Sequence, residues 1–136
     1  MGLSGEAATP PYWSWNKETS SVTSISTETQ TDSITVTLVS GETYEIVHSA
    51  IWSGSSSSVI VKPRIREDSS SGTQLASWEF PVTAVAHYYN GMFRAIYTAT
   101  ASGSKTFVVT GEANTGTCNR VGSSTDPSNL TVEKKL

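Results

Sequence analysis

The stretch WSGSSSSVIVKPRIRE, residues 52–67, decides the fold. It opens on a serine run and closes on an alternation of apolar and basic residues. The run is either a linker between two domains or the tip of one hairpin. Val59, Val61, Pro63 and Ile65 point one way, and Ile60, Lys62, Arg64 and Arg66 the other, which is the period of a strand with one wet face. The segment before it, TYEIVHSAIW (43–52), alternates too, with Tyr44, Ile46, His48, Ala50 and Trp52 on one face. Only Ser53 to Ser57 separate the two strands. A linker would require a complete core on each side, and the first half of the chain has too few strands to build one. The serine run is therefore a loop inside a single domain. Pro63 cannot donate to a ladder, so an edge or a bulge is expected there.

Working outward, the same period recurs. SVTSIS (21–26) is a weak strand, and SITVTLVS (33–40) a strong one, followed by a Gly41-Glu42 turn that predicts a hairpin with 43–52. LASWEFPVTAV (75–85) is broken by Pro81 into two short strands or a bend, and 82–89 is the one place that would tolerate a helical turn. MFRAIYTATA (92–101) sets Phe93, Ala95, Tyr97 and Ala99 against Met92, Arg94, Ile96 and Thr98. With SGS (102–104) and KTFVVTGEA (105–113) it reads as the clearest hairpin in the chain. A short strand at 117–121 and a closing one at 130–135 complete the series. Many short strands with turn signals between them predict an all-β sandwich or barrel. The chain has 136 residues, one domain's worth, and its 23 Ser and 19 Thr coat the wet faces and loops.

Residues 1–19 read as an N-terminal docking arm and 20–136 as the β domain. Gly2, Gly5, Pro10 and Pro11 discourage regular structure in the arm, while Tyr12, Trp13 and Trp15 are costly to leave in water. The aromatics either fold back on their own body or reach a neighbouring subunit.

The formal net charge is −3, without the basic excess of a nucleic-acid binder or the polybasic patch of a membrane-surface protein. MGLSGEAATPPYWSW has no apolar core of the length a signal peptide needs, and no stretch approaches the ~20 apolar residues of a membrane helix. Cys118 is the single cysteine, so no internal disulfide and no multi-cysteine metal cage can form, which fits a reducing compartment.

No catalytic constellation stands out. His48 and His87 are the only histidines and neither has a close-spaced ligand partner; His48, on an apolar strand face, is expected to be a packed, satisfied residue or an interface one. There is no G-x-S-x-G elbow. Asp32, Asp68 and Asp126 are expected in loops, capping turns. The expectation is therefore a non-enzyme with no cofactor and no metal. The basic stripe Lys62, Arg64, Arg66 is either a solvated face that blunts an edge or a contact for an acidic neighbour. Trp13, Trp15, Trp52, Trp78, Tyr88 and Tyr89 are core, interface residues or platforms for sugar rings.

Four segments, ITVTLVSGETYEI (34–46), VIVKPRIREDSSSGTQLA (59–76), YTATASGSKTFVVTGE (97–112) and LTVEKK (130–135), resemble small β-rich virion structural proteins of tailed phages, most closely those of actinobacterial hosts. The similarity covers about residues 20–136. The resemblance implies a single-domain antiparallel β-sandwich of jelly-roll type with an extended N-terminal arm. It implies a non-enzymatic virion component, assembled in the host cytoplasm, that forms homotrimers and binds the major capsid protein or other virion proteins. The role expected is capsid decoration, with Tyr12, Trp13, Trp15, Lys62, Arg64 and Arg66 as partner-binding residues. The alternative is a tail-fibre or receptor-binding head that contacts host-surface glycans.

Overall fold

The computed structural model describes residues 13–83 and 88–135. Its elements are strands alone: β1 (Trp13–Glu18), β2 (Val22–Ile25), β3 (Thr29–Leu38), β4 (Thr43–Gly54), β5 (Ile60–Val61), β6 (Arg64–Glu67), β7 (Gln74–Ser77), β8 (Phe80–Pro81), β9 (Tyr89–Thr98), β10 (Gly103–Gly111), β11 (Cys118–Val121) and β12 (Ser128–Lys134). Every pairing is antiparallel. The fold is the expected all-β antiparallel sandwich of jelly-roll type.

The first sheet is built on β4, the longest strand. β9 runs beside Thr43–Trp52, so β12 and β11 must share the opposite edge, β12 along Tyr44–Ser49 and β11 along Ile51–Gly54. β1 flanks β12, and β2 flanks β11. The second sheet has the order β3-β10-β6-β7, and β5 and β8 form a separate two-stranded ribbon. The break expected at Pro63 falls between β5 and β6, and that at Pro81 ends β8. The helical turn allowed for in 82–89 falls largely on residues 84–87, outside the described residues.

Both predicted hairpins are corrected. β3 pairs with β10, not β4, and β9 pairs with β4, not β10. Nor does the serine loop close a hairpin, because β4 continues through Gly54 against β11 while β5 pairs with β8. The turns between β3 and β4 and between β9 and β10 carry the chain from one sheet to the other. The two crossovers then bond to each other: Gly41 N donates to Ala99 O at 2.8 Å, Ala99 N to Glu42 O at 2.9 Å, and Ser40 N to Ser102 Oγ at 2.9 Å. Gly41 turns at φ +86°, a left-handed conformation that favours glycine. A hairpin and an arch leave the same alternation in sequence, since apolar residues face the core on both flanks in either case.

Two apolar clusters fill the sandwich. Ile34, Val36, Leu38, Tyr44, Ile46, Phe107 and Val132 belong to one, and Ile25, Trp52, Val59, Val61, Val82 and Cys118 to the other. Burying each large side chain is worth about 1.5–3 kcal/mol. Trp52 is packed against the backbone of β10: a Cβ built on Gly111 would lie 2.7 Å from Trp52 Cζ3 and 2.9 Å from Cη2. Gly111→Ala should therefore lower stability by about 1–3 kcal/mol through overpacking. An unchanged urea midpoint would show that the contact is not as close as described.

Candidate functional site

The outward face of the first sheet combines four strands in register. One row reads Trp13, Glu133, Glu45, Ile96; the next Trp15, Thr131, Val47, Arg94; the third Lys17, Asn129, Ser49, Met92. The alternation that buries Leu130, Val132, Ile46 and Ala95 necessarily turns these residues outward. Trp13 is 59% exposed, Trp15 50%, Met92 69% and Ile96 52%. Singly exposed apolar residues are ordinary; this face carries two tryptophans at its β1 edge and Met92 and Ile96 at its β9 edge, with Glu133, Glu45, Thr131, Asn129 and Ser49 between them.

At the β1 edge the tryptophans form a corner. Their ring centroids lie 5.9 Å apart with planes at 68°. Trp15 Nε1 donates to Asn129 Oδ1 at 2.9 Å, which fixes the ring, and Lys17 Nζ stands 4.9 Å over its centroid. Thr131 and Glu133 complete a shallow groove with the two rings. Further across, Arg94 Nη1 donates to Glu45 Oε2 at 2.7 Å, and Lys135 Nζ lies 3.8 Å from Glu45 Oε1.

Among the described residues, the expected partner-binding residues fall on different parts of the fold. Of the arm expected over 1–19, Tyr12 and everything before it lie outside the described residues, and 13–18 are β1, hydrogen-bonded into the body. The basic stripe belongs to the second sheet, where Arg64 and Arg66 are occupied by the chain's own carboxylates. Arg66 grips Glu28 with Nε at 2.6 Å and Nη2 at 3.1 Å, and Arg64 Nη1 reaches Glu112 at 2.7 Å. The Arg66 hydrogen bond, opposed by burial and aided by Thr110 and the charges of Arg66 and Arg64, holds the Glu28 carboxyl below its usual range. Two half-buried arginines paired in this way are poorly placed to clamp an acidic neighbour. Lys62, between β5 and β6, is half-buried beside them.

Among the sugar-platform candidates, Trp52 is fully buried and Trp78 is half-buried, with its ring 4.9 Å from Phe80. Burial pushes the Cys118 thiol up to about 11, so it is not a reactive thiolate.

One cluster was not anticipated. Asp32 is not in a loop but in β3, 2% exposed, and it meets His48 of β4, Arg120 of β11 and Ser128 of β12, all buried. Arg120 Nε donates to Asp32 Oδ1 at 3.1 Å, Nη1 to Ser20 O and Nη2 to Thr31 O, each at 2.8 Å. Ser128 Oγ gives its single proton to Asp32 Oδ2 at 2.6 Å. His48 Nε2, 3.0 Å from Ser128 Oγ and 3.2 Å from Asp32 Oδ1, must therefore be the donor to both. His48 is packed as expected but only half satisfied, because Nδ1 has no hydrogen-bond partner.

The residue types match a Ser-His-Asp triad, but the wiring does not. In a triad the acid holds Nδ1 and the base faces an accessible serine. Here acid and serine share Nε2, the serine proton is committed to the acid, and His48 and Ser128 have no solvent exposure. The cluster is a structural pin. Among the described residues no three His, Cys, Asp or Glu side chains converge as metal ligands.

No protein-family profile matches the chain, and no curated protein matches it in sequence. Among solved structures, the VP2 subviral particle of infectious bursal disease virus aligns over 100% of the chain at 9% identity and a TM-score of 0.49. The chain spans 41% of that viral protein's length. The carbohydrate-binding module CBM6cm-2 of Cellvibrio mixtus lichenase 5A, solved with cellotriose, aligns over 95% of this chain and 92% of its own at 13% identity and a TM-score of 0.44. A Bacillus endospore appendage protein aligns over 90% of this chain and 100% of its own at 14% identity and a TM-score of 0.36. None is similar enough to carry a residue's role across.

The pin makes two expectations measurable. Burial alone would raise the Asp32 carboxyl, but the His48 hydrogen bond and charge, the Arg120 charge and the Ser128 hydrogen bond reverse this and lower it from 3.8 to about 2. A carboxyl depressed on folding contributes stability that is complete above its unfolded pKa and is lost as pH falls through the folded one. About 2 kcal/mol should thus disappear between roughly pH 4 and pH 2. Asp32→Asn should remove most of this acid dependence. At neutral pH it should cost about 3–5 kcal/mol, because Arg120 stays buried without its counter-charge. Urea titrations of both proteins at pH 7, 4 and 2.5 check this, and parallel pH profiles would contradict it.

Proposed function

We propose that the protein is a non-enzymatic structural component of a virion, a capsid decoration protein of a tailed phage that docks on neighbouring virion proteins through the outer face of its first sheet. The observation that carries this reading is that face, four strands wide, with Trp13, Trp15, Met92 and Ile96 all at least half exposed. Interface cores are enriched in tryptophan and methionine, and buried aromatic anchors supply most of the affinity. The opposite sheet, with its ion-paired arginines and its Thr35–Thr106 hydroxyl pair, is a solvated face. The resemblance of the four β segments to virion proteins points the same way. The mechanism is cementing: binding to adjacent capsid subunits raises the free energy needed to separate them. Trimer formation, implied by the same resemblance, would multiply the attachment points.

A second reading has one observation in its favour. An exposed tryptophan pair beside a hydroxyl and a carboxylate could stack on a sugar ring and bond its hydroxyls, as a host-surface contact on a tail fibre would require.

Re-addition to virions stripped of the protein separates the two. Trp13→Ala combined with Met92→Ser should reduce head attachment by at least about tenfold, given about 1–2 kcal/mol for each anchor lost. A matching urea midpoint confirms that the variant is folded. Undiminished attachment, or a copy number of a few to tens with binding on a glycan array, would replace decoration by the tail reading.

A further inference from the structure

The docking face carries a charge that a neutral apolar partner could not tolerate. Glu133 stands directly opposite Trp13 on one side and Glu45 on the other. Like charges opposite one another on neighbouring strands repel. Glu45 is compensated by Arg94 and Lys135. Glu133 is exposed and has no ion-pair partner among the described residues. Pressing this face against an apolar surface would strip water from an unpaired carboxylate, which is costly unless a counter-charge arrives with the partner.

The tryptophan corner is suited to that counter-charge. A ring face attracts ammonium and guanidinium groups, tryptophan most strongly; with the two rings at 68°, one face receives the charge while the other ring shields its flank from water. The molecule already places an ammonium on one of these rings, that of Lys17 at 4.9 Å from Trp15. Trp15 is held by Asn129, so the corner is formed before any guest arrives.

We infer that the Trp13–Trp15–Glu133 corner receives a lysine or arginine side chain of the docked partner, so that the partner surface is apolar with a basic residue at this edge. This rests on the docking role proposed above and names the partner's chemistry. The corner acts in two ways: the carboxylate neutralises the incoming charge, and the rings cover its flanks as water is excluded. A sugar would also satisfy a carboxylate and a ring, but it would leave the charge of Glu133 uncompensated in the interface.

The test uses the full chain and small probes. Tetramethylammonium chloride, with sodium chloride as the ionic-strength control, is titrated while the indole N–H resonances of Trp13 and Trp15 are followed by NMR. A tri-N-acetylchitotriose titration is run in parallel. The inference predicts saturable shifts at both indoles with the ammonium, about fivefold weaker binding in Glu133→Gln, and a weakened response at the Trp15 indole in Trp13→Ala. It is overturned if the ammonium gives no saturable shift, if Glu133→Gln binds it unchanged, or if only the sugar saturates. Both substituted positions are on the surface, and unchanged urea midpoints identify the variants as folded. Virion re-addition is scored separately. Attachment that survives while the ammonium response is absent removes this inference and leaves docking intact; the reverse removes docking and leaves a cation-binding corner.

Discussion

The sandwich is held in register by one buried charge pair. Arg120 and Asp32, 1% and 2% exposed, join β11 to β3, and through His48 and Ser128 they also join β4 and β12. On the inner face of β4, His48 falls between Ile46 of one apolar cluster and Ala50 of the other. The polar group therefore sits where the two clusters meet. Hydrophobic contact alone tolerates a strand slipped by two residues, because apolar side chains are interchangeable within limits. A guanidinium bound to one carboxylate and two named carbonyls does not, since a slip would strand its charge in the core. The pin trades stability for specificity, and the orphaned His48 Nδ1 is part of that cost.

With register fixed, the two outer faces follow. The second sheet turns out Thr35, Thr106, Arg64 and Arg66 and ties its charges to Glu28 and Glu112. The first turns out Trp13, Trp15, Val47, Met92 and Ile96, with Glu133 lacking an ion-pair partner among the described residues. The asymmetry does not come from composition, as both sheets draw on the same Thr- and Ser-rich pool. It lies in which residues occupy the outward phase of β1, β4, β9 and β12. One face pairs its own charges, and the other leaves Trp13, Trp15, Met92 and Ile96 exposed.

Much of this was legible in the alternation. Strand positions other than β1, which reads in sequence as part of the arm, follow from period two, as does the outward phase of Met92, Arg94 and Ile96, and the breaks follow from Pro63 and Pro81. Pairing did not follow, because strands meeting across a core and strands meeting across a turn show the same pattern. The basic stripe was legible as outward, but its partners Glu28 and Glu112 lie 38 and 48 residues away from Arg66 and Arg64. The pin left a trace that composition concealed. Asp32 is in phase with Ile34, Val36 and Leu38; Arg120 is in phase with Cys118; Ser128 is in phase with Leu130 and Val132. Each is a polar residue on the inward phase of its strand. Only the tertiary structure shows that the four converge and so can share one another's desolvation.

The central claim is that the face bearing Trp13, Trp15, Met92 and Ile96 is the one buried in the assembly. Hydroxyl-radical footprinting of the free protein and of the protein on intact virions tests it directly, since tryptophan and methionine are readily oxidised and Met92 is 69% exposed. The account predicts strong protection of Trp13, Trp15 and Met92 on the virion, with the β3-β10-β6-β7 face labelled as in solution. Equal labelling of Met92 and both tryptophans in the two states, with protection confined to the second sheet, would contradict it.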